Sequence, residues 1–275
     1  MLKLSIVGAG KVGSVLGRQL VRHQVFQMAQ VLNRSASSAQ AAIARIGEGQ
    51  AVSDLAQMVP ADMLMLALPD DQIASVCEQM AARGLFQPGM VVFHCSGAKS
   101  SLELHAASAA GAAVASVHPV RSFADPLQVA DSFDGTICSV EGDAAALQIL
   151  VPALQAIRAS VVQISADNKL LYHAGSVFAS NYLVSLMETA LQTYQAAGIP
   201  HAMAIAMAEP LARQSLDNVF KLGTAVALTG PIARGDMATV ARQQQAVREW
   251  DSVAGDLYAA FAPPTVALAS QKKTL

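Results

Sequence analysis

Two groups of residues have types and spacings that could do chemistry. The first is Gly8-Ala9-Gly10-Lys11-Val12-Gly13, a G-x-G-x-x-G placed between a short apolar run and an amphipathic pattern. Gly8 permits a tight turn out of a strand, Gly10 lets a phosphate approach the backbone, and Gly13 lets a helix lie close on a sheet. The free N–H groups of Lys11 and Val12, at the positive end of that helix, would then face a pyrophosphate. The chemistry implied is dinucleotide binding. The second group is Lys169, His173, Ser176 and Ser180, at i, i+4, i+7 and i+11, which share one narrow face of a helix. No charged residue occurs between Lys169 and Glu188, whereas a solvent-facing stripe is usually broader and richer in charge. The stripe is therefore expected to be buried against something polar. His173 and Lys169 are candidate proton donors, with Ser176 and Asn181 beside them. Two other readings stay open: small residues placed for close helix packing, and a satisfied core histidine.

The cofactor can be read from the end of the second strand. A carboxylate there would hold a ribose 2′-hydroxyl and repel a 2′-phosphate. This chain has Asn33-Arg34-Ser35 instead, an amide, a guanidinium and a hydroxyl suited to a phosphate. NADP is expected over NAD.

Strands and helices must position these groups. Apolar runs at Met28–Leu32, Asp62–Leu68, Met90–His94 and Val114–His118 read as strands of a parallel sheet, with helices near Val12–His23 and Ser38–Ile46 and a short strand at Ala51–Val52. Ligands bind beyond the carboxyl ends of such strands, which places Leu68, Pro69, Ser96, Gly97 and His118 at the rim of the cofactor crevice. Asp70 and Asp71 read as caps of the following helix. Two further strands, Thr136–Val140 and Val161–Ile164, flank a helix at Asp143–Ile157. The fold class is α/β: an N-terminal doubly wound (Rossmann) parallel sheet over residues 1–165, followed by an all-helical domain over 166–275. One helix is expected from Asn168 to Thr193, and breaks at Gly198-Ile199-Pro200, Gly223, Thr229-Gly230-Pro231, Gly235-Asp236 and Pro263-Pro264, with a mobile tail after Pro264. The loop Leu228–Asp236 adds Thr229, Arg234 and a capping Asp236. With Ser180 and His118, Thr229 and Arg234 form the candidate substrate set. His23, His94, His105 and His201 have no partner spacing and receive no role.

Composition limits the alternatives. A net charge of −2 gives no electrostatic case for nucleic acid or an anionic membrane surface, and the basic pair Lys272-Lys273 reads as a solvated end. Cys77, Cys95 and Cys138 are odd in number and lack metal-ligand spacing, which fits free thiols in a reducing cytoplasm and no metal site. The nucleotide-binding strand starts at residue 3, which leaves no signal peptide. The uncharged stretch Leu170–Met187 is too polar for a membrane span.

The order of GAGKVG, NRS, LALPDDQI, HCSGA, SVHPVRSF, LYHAGSVFASNYLV and LTGPIARGD resembles a bacterial family of Rossmann-like NADP-binding oxidoreductases of unassigned substrate. That family is related to pyrroline-5-carboxylate reductase and to NADP-linked deazaflavin oxidoreductases. In the reductases a helix rich in small residues and a later Gly- and Thr-containing loop shape the substrate site. His173–Leu191 is similar to that helix and Leu228–Asp236 to that loop, although TGPIARGD departs from the Gly-Gly-Thr-Thr type. The related β-hydroxyacid dehydrogenases carry a lysine four residues before an asparagine, and counting back from Asn181 gives Val177. The resemblance implies a homodimer through the C-terminal helices. The function expected is hydride transfer between NADP and a small C=O or C=N substrate in the interdomain cleft. The alternative is an NADP-binding sensor without catalysis.

Overall fold

The computed structural model describes residues 1–272. The chain forms two compact units, Met1–Phe178 and a second beginning at Ala179. The first unit runs β1 (Lys3–Val7), α1 (Lys11–Arg22), β2 (Gln27–Leu32), α2 (Ala36–Ile46), β3 (Gln50–Val52), β4 (Met63–Leu66) and α3 (Ile73–Ala82). It continues with β5 (Val91–His94), α4 (His105–Ala109), β6 (Ala113–Pro119), α5 (Pro126–Asp131), β7 (Ile137–Gly142), α6 (Ala144–Ala156), β8 (Ser160–Gln163) and α7 (Lys169–Ser176).

The eight strands form one sheet in the order β3-β2-β1-β4-β5-β6-β7-β8. Its first six strands follow the doubly wound arrangement, which reverses direction of winding between β1 and β4. β7 is antiparallel to β6 and β8 is parallel to β7, so these last two run against the other six. Strands buried on both faces read as unbroken apolar runs, as in Met63-Leu64-Met65-Leu66, where every residue is buried. Alternate residues serve opposite faces. Leu4 and Ile6 of β1 join a core with Leu16 of α1 and Leu150 of α6, whereas Val7 joins a second core with Ile73 and Met80 of α3. Each fully buried aliphatic side chain contributes about 1.5–3 kcal/mol, so the two cores fix the strand ends from which the site loops rise.

The register matters for the site. His94 of β5 lies beside Ser116 of β6, Ser116 beside Glu141 of β7, and His118 beside Ser139. Paired residues on adjacent strands project from the same face.

The second unit contains α8 (Tyr182–Ala196), α9 (His201–Leu222), α10 (Thr224–Ala227), α11 (Pro231–Arg234), α12 (Met237–Trp250) and α13 (Ser252–Lys272). Three expectations need correction. The single helix over Asn168–Thr193 is divided by a π-helical turn, Val177–Asn181. Neither Asp70 nor Asp71 caps α3, because a turn closed by Gln72 N–H and Pro69 O places Gln72 at the helix start with no side-chain cap. The helix also does not stop at Pro263-Pro264: α13 continues to Lys272. Two N–H donors are lost at the prolines, but Ala269 beyond them is buried, and the Lys272 ammonium donates to Val226 O and Leu228 O at 3.2 and 3.0 Å. Lys272 is exposed, as expected of a solvated end, and also ties down these two carbonyls; Lys273, Thr274 and Leu275 lie outside the described residues. No helix among the described residues is long and apolar enough to cross a membrane.

Candidate functional site

The glycine turn separates packing from access. A Cβ at Gly8, whose φ is +84°, would lie 2.6 Å from Leu68 and 2.7 Å from the Ala67 carbonyl, and one at Gly13 would lie 2.8 Å from the Ala67 methyl. A Cβ at Gly10 would meet nothing nearer than Gly8 O at 3.9 Å. Packing therefore demands the first and third glycines, while the second borders open space. α1 begins at Lys11, and its first backbone bond is Ser14 N–H to Gly10 O, which leaves the N–H groups of Lys11, Val12 and Gly13 without helical acceptors. The site fits a dinucleotide pyrophosphate on these grounds. The Lys11 side chain plays no part there, since its ammonium donates to Ala124 O at 3.0 Å.

Above this turn lies a cleft of about 770 Å³, bordered by Gly8, Gly10, Asn33, Arg34, Leu68 and Pro69. It also receives Ser38, Ala41 and Arg45, spaced i, i+3 and i+7 on α2, and Arg83 after α3. Arg34 has no hydrogen bond to another described residue. Arg45 Nε is buried without a partner. Arg45 thus borders the same cleft as Arg34, on the face of α2 that carries Ser38 and Ala41. Ser35 departs from expectation: its hydroxyl caps α2, accepting from Ser38 N–H at 3.2 Å, and the Ser38 hydroxyl donates back to Ser35 O. Asn33 likewise donates its amide to Ser38 O at 2.9 Å. Both shape the loop, while Ser38 and Arg45 are the polar groups that sequence reasoning missed.

A smaller cavity of about 290 Å³ shares Ala67 and Leu68 with the cleft. Val12, Asp70, Gly97, His118, Arg121 and His173 line it. His118 and His173 stand edge to face, with ring centroids 5.7 Å apart. Gly97 fills the space beside them: a Cβ there would lie 2.3 Å from His173 Cδ2 and 2.8 Å from His118 Cε1. His118 Nδ1 shares a 2.8 Å hydrogen bond with the Tyr172 hydroxyl. Burial, with His173 and Lys169 adding to it, pushes the His118 pKa down to about 4. Burial holds the Tyr172 hydroxyl above its usual range. At neutral pH both groups are uncharged. Cys95 also borders the cavity, but burial raises its thiol to about 12, which removes it as a nucleophile.

Behind the cavity wall, Lys169 is 1% exposed. Its ammonium donates to Ser96 O at 3.0 Å and Ser116 Oγ at 2.5 Å, and lies 3.8 Å from Glu141 Oε1. Glu141 in turn accepts from Ser101 N–H at 2.7 Å and Ser101 Oγ at 2.8 Å. Two of the ammonium's three donors are thus hydrogen-bonded, and the Glu141 carboxylate completes an ion pair. Burial lowers the Lys169 pKa against the raising influence of Glu141. Lys169 is not among the residues lining the cavity, which removes it as a direct proton donor. Ser96 is also structural, its hydroxyl accepting from Ala98 N–H and Lys99 N–H at 3.2 and 2.9 Å. His94 acquires a role: Nδ1 accepts from Ser96 N–H at 3.1 Å and Nε2 pairs with Ser100 O at 2.9 Å.

The stripe is buried only at its start. Lys169 is buried, His173 and Ser176 are half-buried, and Ser180 is exposed. Ser180, Asn181, Thr229 and Arg234 belong to the second unit, and all four are exposed and outside the residues lining either cavity. Asp236 caps α12, accepting from Thr239 N–H at 3.1 Å.

With this geometry in place, the comparisons with known proteins are specific about fold. Residues 1–119 match the Rossmann-like domain family, and residues 136–265, from the start of β7 onward, match a domain of unknown function, DUF2520. Each match spans less than half of the chain, the first ending with β6. No curated protein matches it in sequence. Among solved structures, a protein from Thermotoga maritima is 25% identical with a TM-score of 0.75, the match covering 98% of this chain and 99% of that one. A Bacteroides fragilis protein, provisionally assigned as an NADP oxidoreductase, is 18% identical with a TM-score of 0.77 over 97% and 98% of the two chains. The pyrroline carboxylate reductase of Plasmodium falciparum, solved with NADP bound, is 11% identical with a TM-score of 0.60 over 98% of both.

Proposed function

We propose that the protein is an NADP-dependent oxidoreductase acting on a small C=O or C=N compound. The observation that carries this reading is the junction of the two cavities at Ala67 and Leu68. A glycine turn with free helix N–H groups opens onto one, and two imidazoles face the other. The NADP-bound state of the Plasmodium reductase, which shares this fold, supports the same cofactor class. Bound in the cleft, the cofactor supplies or accepts hydride at the nicotinamide. The N–H groups of Lys11, Val12 and Gly13 hold the pyrophosphate, and Arg34 with Arg45 holds the 2′-phosphate through charge-assisted hydrogen bonds. Uncharged His118 takes a proton from a hydroxyl or amine as it becomes C=O or C=N, and returns it in the reverse direction. His173 is the second proton-handling group, and Asp70 and Arg121 border the substrate. We also propose a homodimer through the C-terminal helices, supported by Met203, Met207 and Leu211 of α9, which are 55%, 41% and 61% exposed at i, i+4 and i+8.

Titration of NADPH and NADH by fluorescence, followed by turnover with a panel of ketoacids, imines and aldehydes, tests the reading. Removing one charge-assisted contact costs about 1.5–3 kcal/mol, so Arg45→Met should weaken NADPH binding roughly 10- to 150-fold and leave NADH binding unchanged. His118→Gln should lower turnover on the order of 10²- to 10⁴-fold at unchanged NADPH affinity. Tight NADPH binding without turnover of any substrate would point instead to a sensor.

A further inference from the structure

We infer that Lys169 is a positioning residue: its buried ammonium clamps the Ser96 carbonyl and the Ser116 hydroxyl, and so sets the spacing between Gly97 and the two imidazoles. This inference rests on the reading of the smaller cavity as the reaction site. Gly97 is wedged against both rings, with no room for even a methyl group. The loop that carries it is tied at Ser96. Ser96 N–H is held by His94 Nδ1, and the Ser96 hydroxyl receives Ala98 and Lys99 N–H. Its carbonyl accepts from the Lys169 ammonium at 3.0 Å and from the Ser116 hydroxyl at 3.2 Å.

Lys169 also opens α7, and the residues three and four positions later are Tyr172, which holds His118 Nδ1, and His173 itself. One side chain therefore joins the loop bearing Gly97, the strand bearing His118 and the helix bearing His173. Glu141, 5% exposed and fixed by both donors of Ser101, supplies the counter-charge that lets an ammonium remain in this interior. Buried ion pairs are poor sources of net stability. Geometric specificity is what this pair contributes.

The test compares the wild-type protein with Lys169→Met/Glu141→Gln, a pair change that leaves no lone buried charge. In the folded double variant NADPH affinity should stay within about twofold, while kcat falls about 10- to 100-fold, the scale expected for displacement near 1 Å. The 15N signals of the His118 ring should shift as its bond to Tyr172 loosens. Should the double variant not fold, Ser116→Ala keeps both charges and removes one anchor of the ammonium together with the Ser116 bond to Ser96 O; it should shift the same His118 signals and lower kcat by a smaller factor. Unchanged kcat and unchanged His118 signals in a folded variant would overturn the inference. If wild-type protein binds NADPH but turns over nothing, the proposed reaction fails on its own, and the His118 signals alone decide the role of Lys169.

Discussion

Acidification should destabilise this protein through histidines that fold uncharged, and His94 is the cleanest case. Its ring is fully buried, and burial takes its pKa from 6.5 to about 4. Nδ1 faces the Ser96 N–H donor, so a proton added there would replace a hydrogen bond with two opposed donors. Above pH 6.5 both folded and unfolded states carry a neutral ring and His94 contributes no pH dependence. As pH falls from 6.5 to 4, the unfolded chain takes up the proton first, and stability drops through that window. The full loss is about 3 kcal/mol, of which about 2 kcal/mol is already gone at pH 5. His118, shifted to the same value, adds a loss of similar direction and scale. The assay is urea unfolding followed by circular dichroism at pH 7 and pH 5, for wild type and His94→Gln, which keeps an N–H donor and an acceptor but does not titrate. The variant should lose about 2 kcal/mol less than wild type between the two pH values. Parallel losses in the two proteins would refute the account of His94.

Gly97→Ala would place a methyl carbon 2.3 Å from His173 Cδ2; it should cost about 1–3 kcal/mol in stability and lower turnover far more than NADPH affinity, as thermal melting and steady-state kinetics would show. Ser35→Ala should cost about 1 kcal/mol through loss of the α2 cap, with NADPH affinity unchanged in a fluorescence titration. Lys272→Ala should lower the melting temperature of the second unit, because the ammonium holds the Val226 and Leu228 carbonyls; differential scanning calorimetry would detect it.

The parts legible in the sequence were those governed by local rules. Met63–Leu66 is a strand because a run buried on both faces must be apolar throughout, and Val91–Phe93 follows the same rule up to the buried His94. The glycine turn was legible because its spacing encodes a strand, a turn and a helix in ten residues. Ser35 was misread because a hydroxyl before a helix suits a phosphate and a cap equally; Ser38 three positions on was the signal for the reciprocal cap. Arg45 could have been found from the Ser38-Ala41-Arg45 stripe on α2, which faces the cleft as one row. The Lys169 network could not have been found. Its partners come from three places, Ser96 after β5, Ser116 on β6 and Glu141 on β7, and only the register of these strands makes them neighbours. The reversed direction of β7 left no trace either, since hydrophobic periodicity is the same in both directions along a strand.

That reversal has a consequence for the order in which the chain reaches its own site. Because β7 and β8 run backwards, the chain leaves the sheet at the rim where β6 begins, the end away from the glycine turn. There Gln163 and Ile164 border a separate cavity of about 670 Å³ with Val114. α7 must then climb the length of β6 to return. It meets Ser116 with Lys169 first, and two residues further along the strand it meets His118 with Tyr172. A sheet whose last pair ran with the others would release the chain at the end that carries the glycine turn, and the same helix would lead away from it. Two antiparallel strands thus turn an exit route into an approach, and the anchor is passed before the imidazoles are delivered.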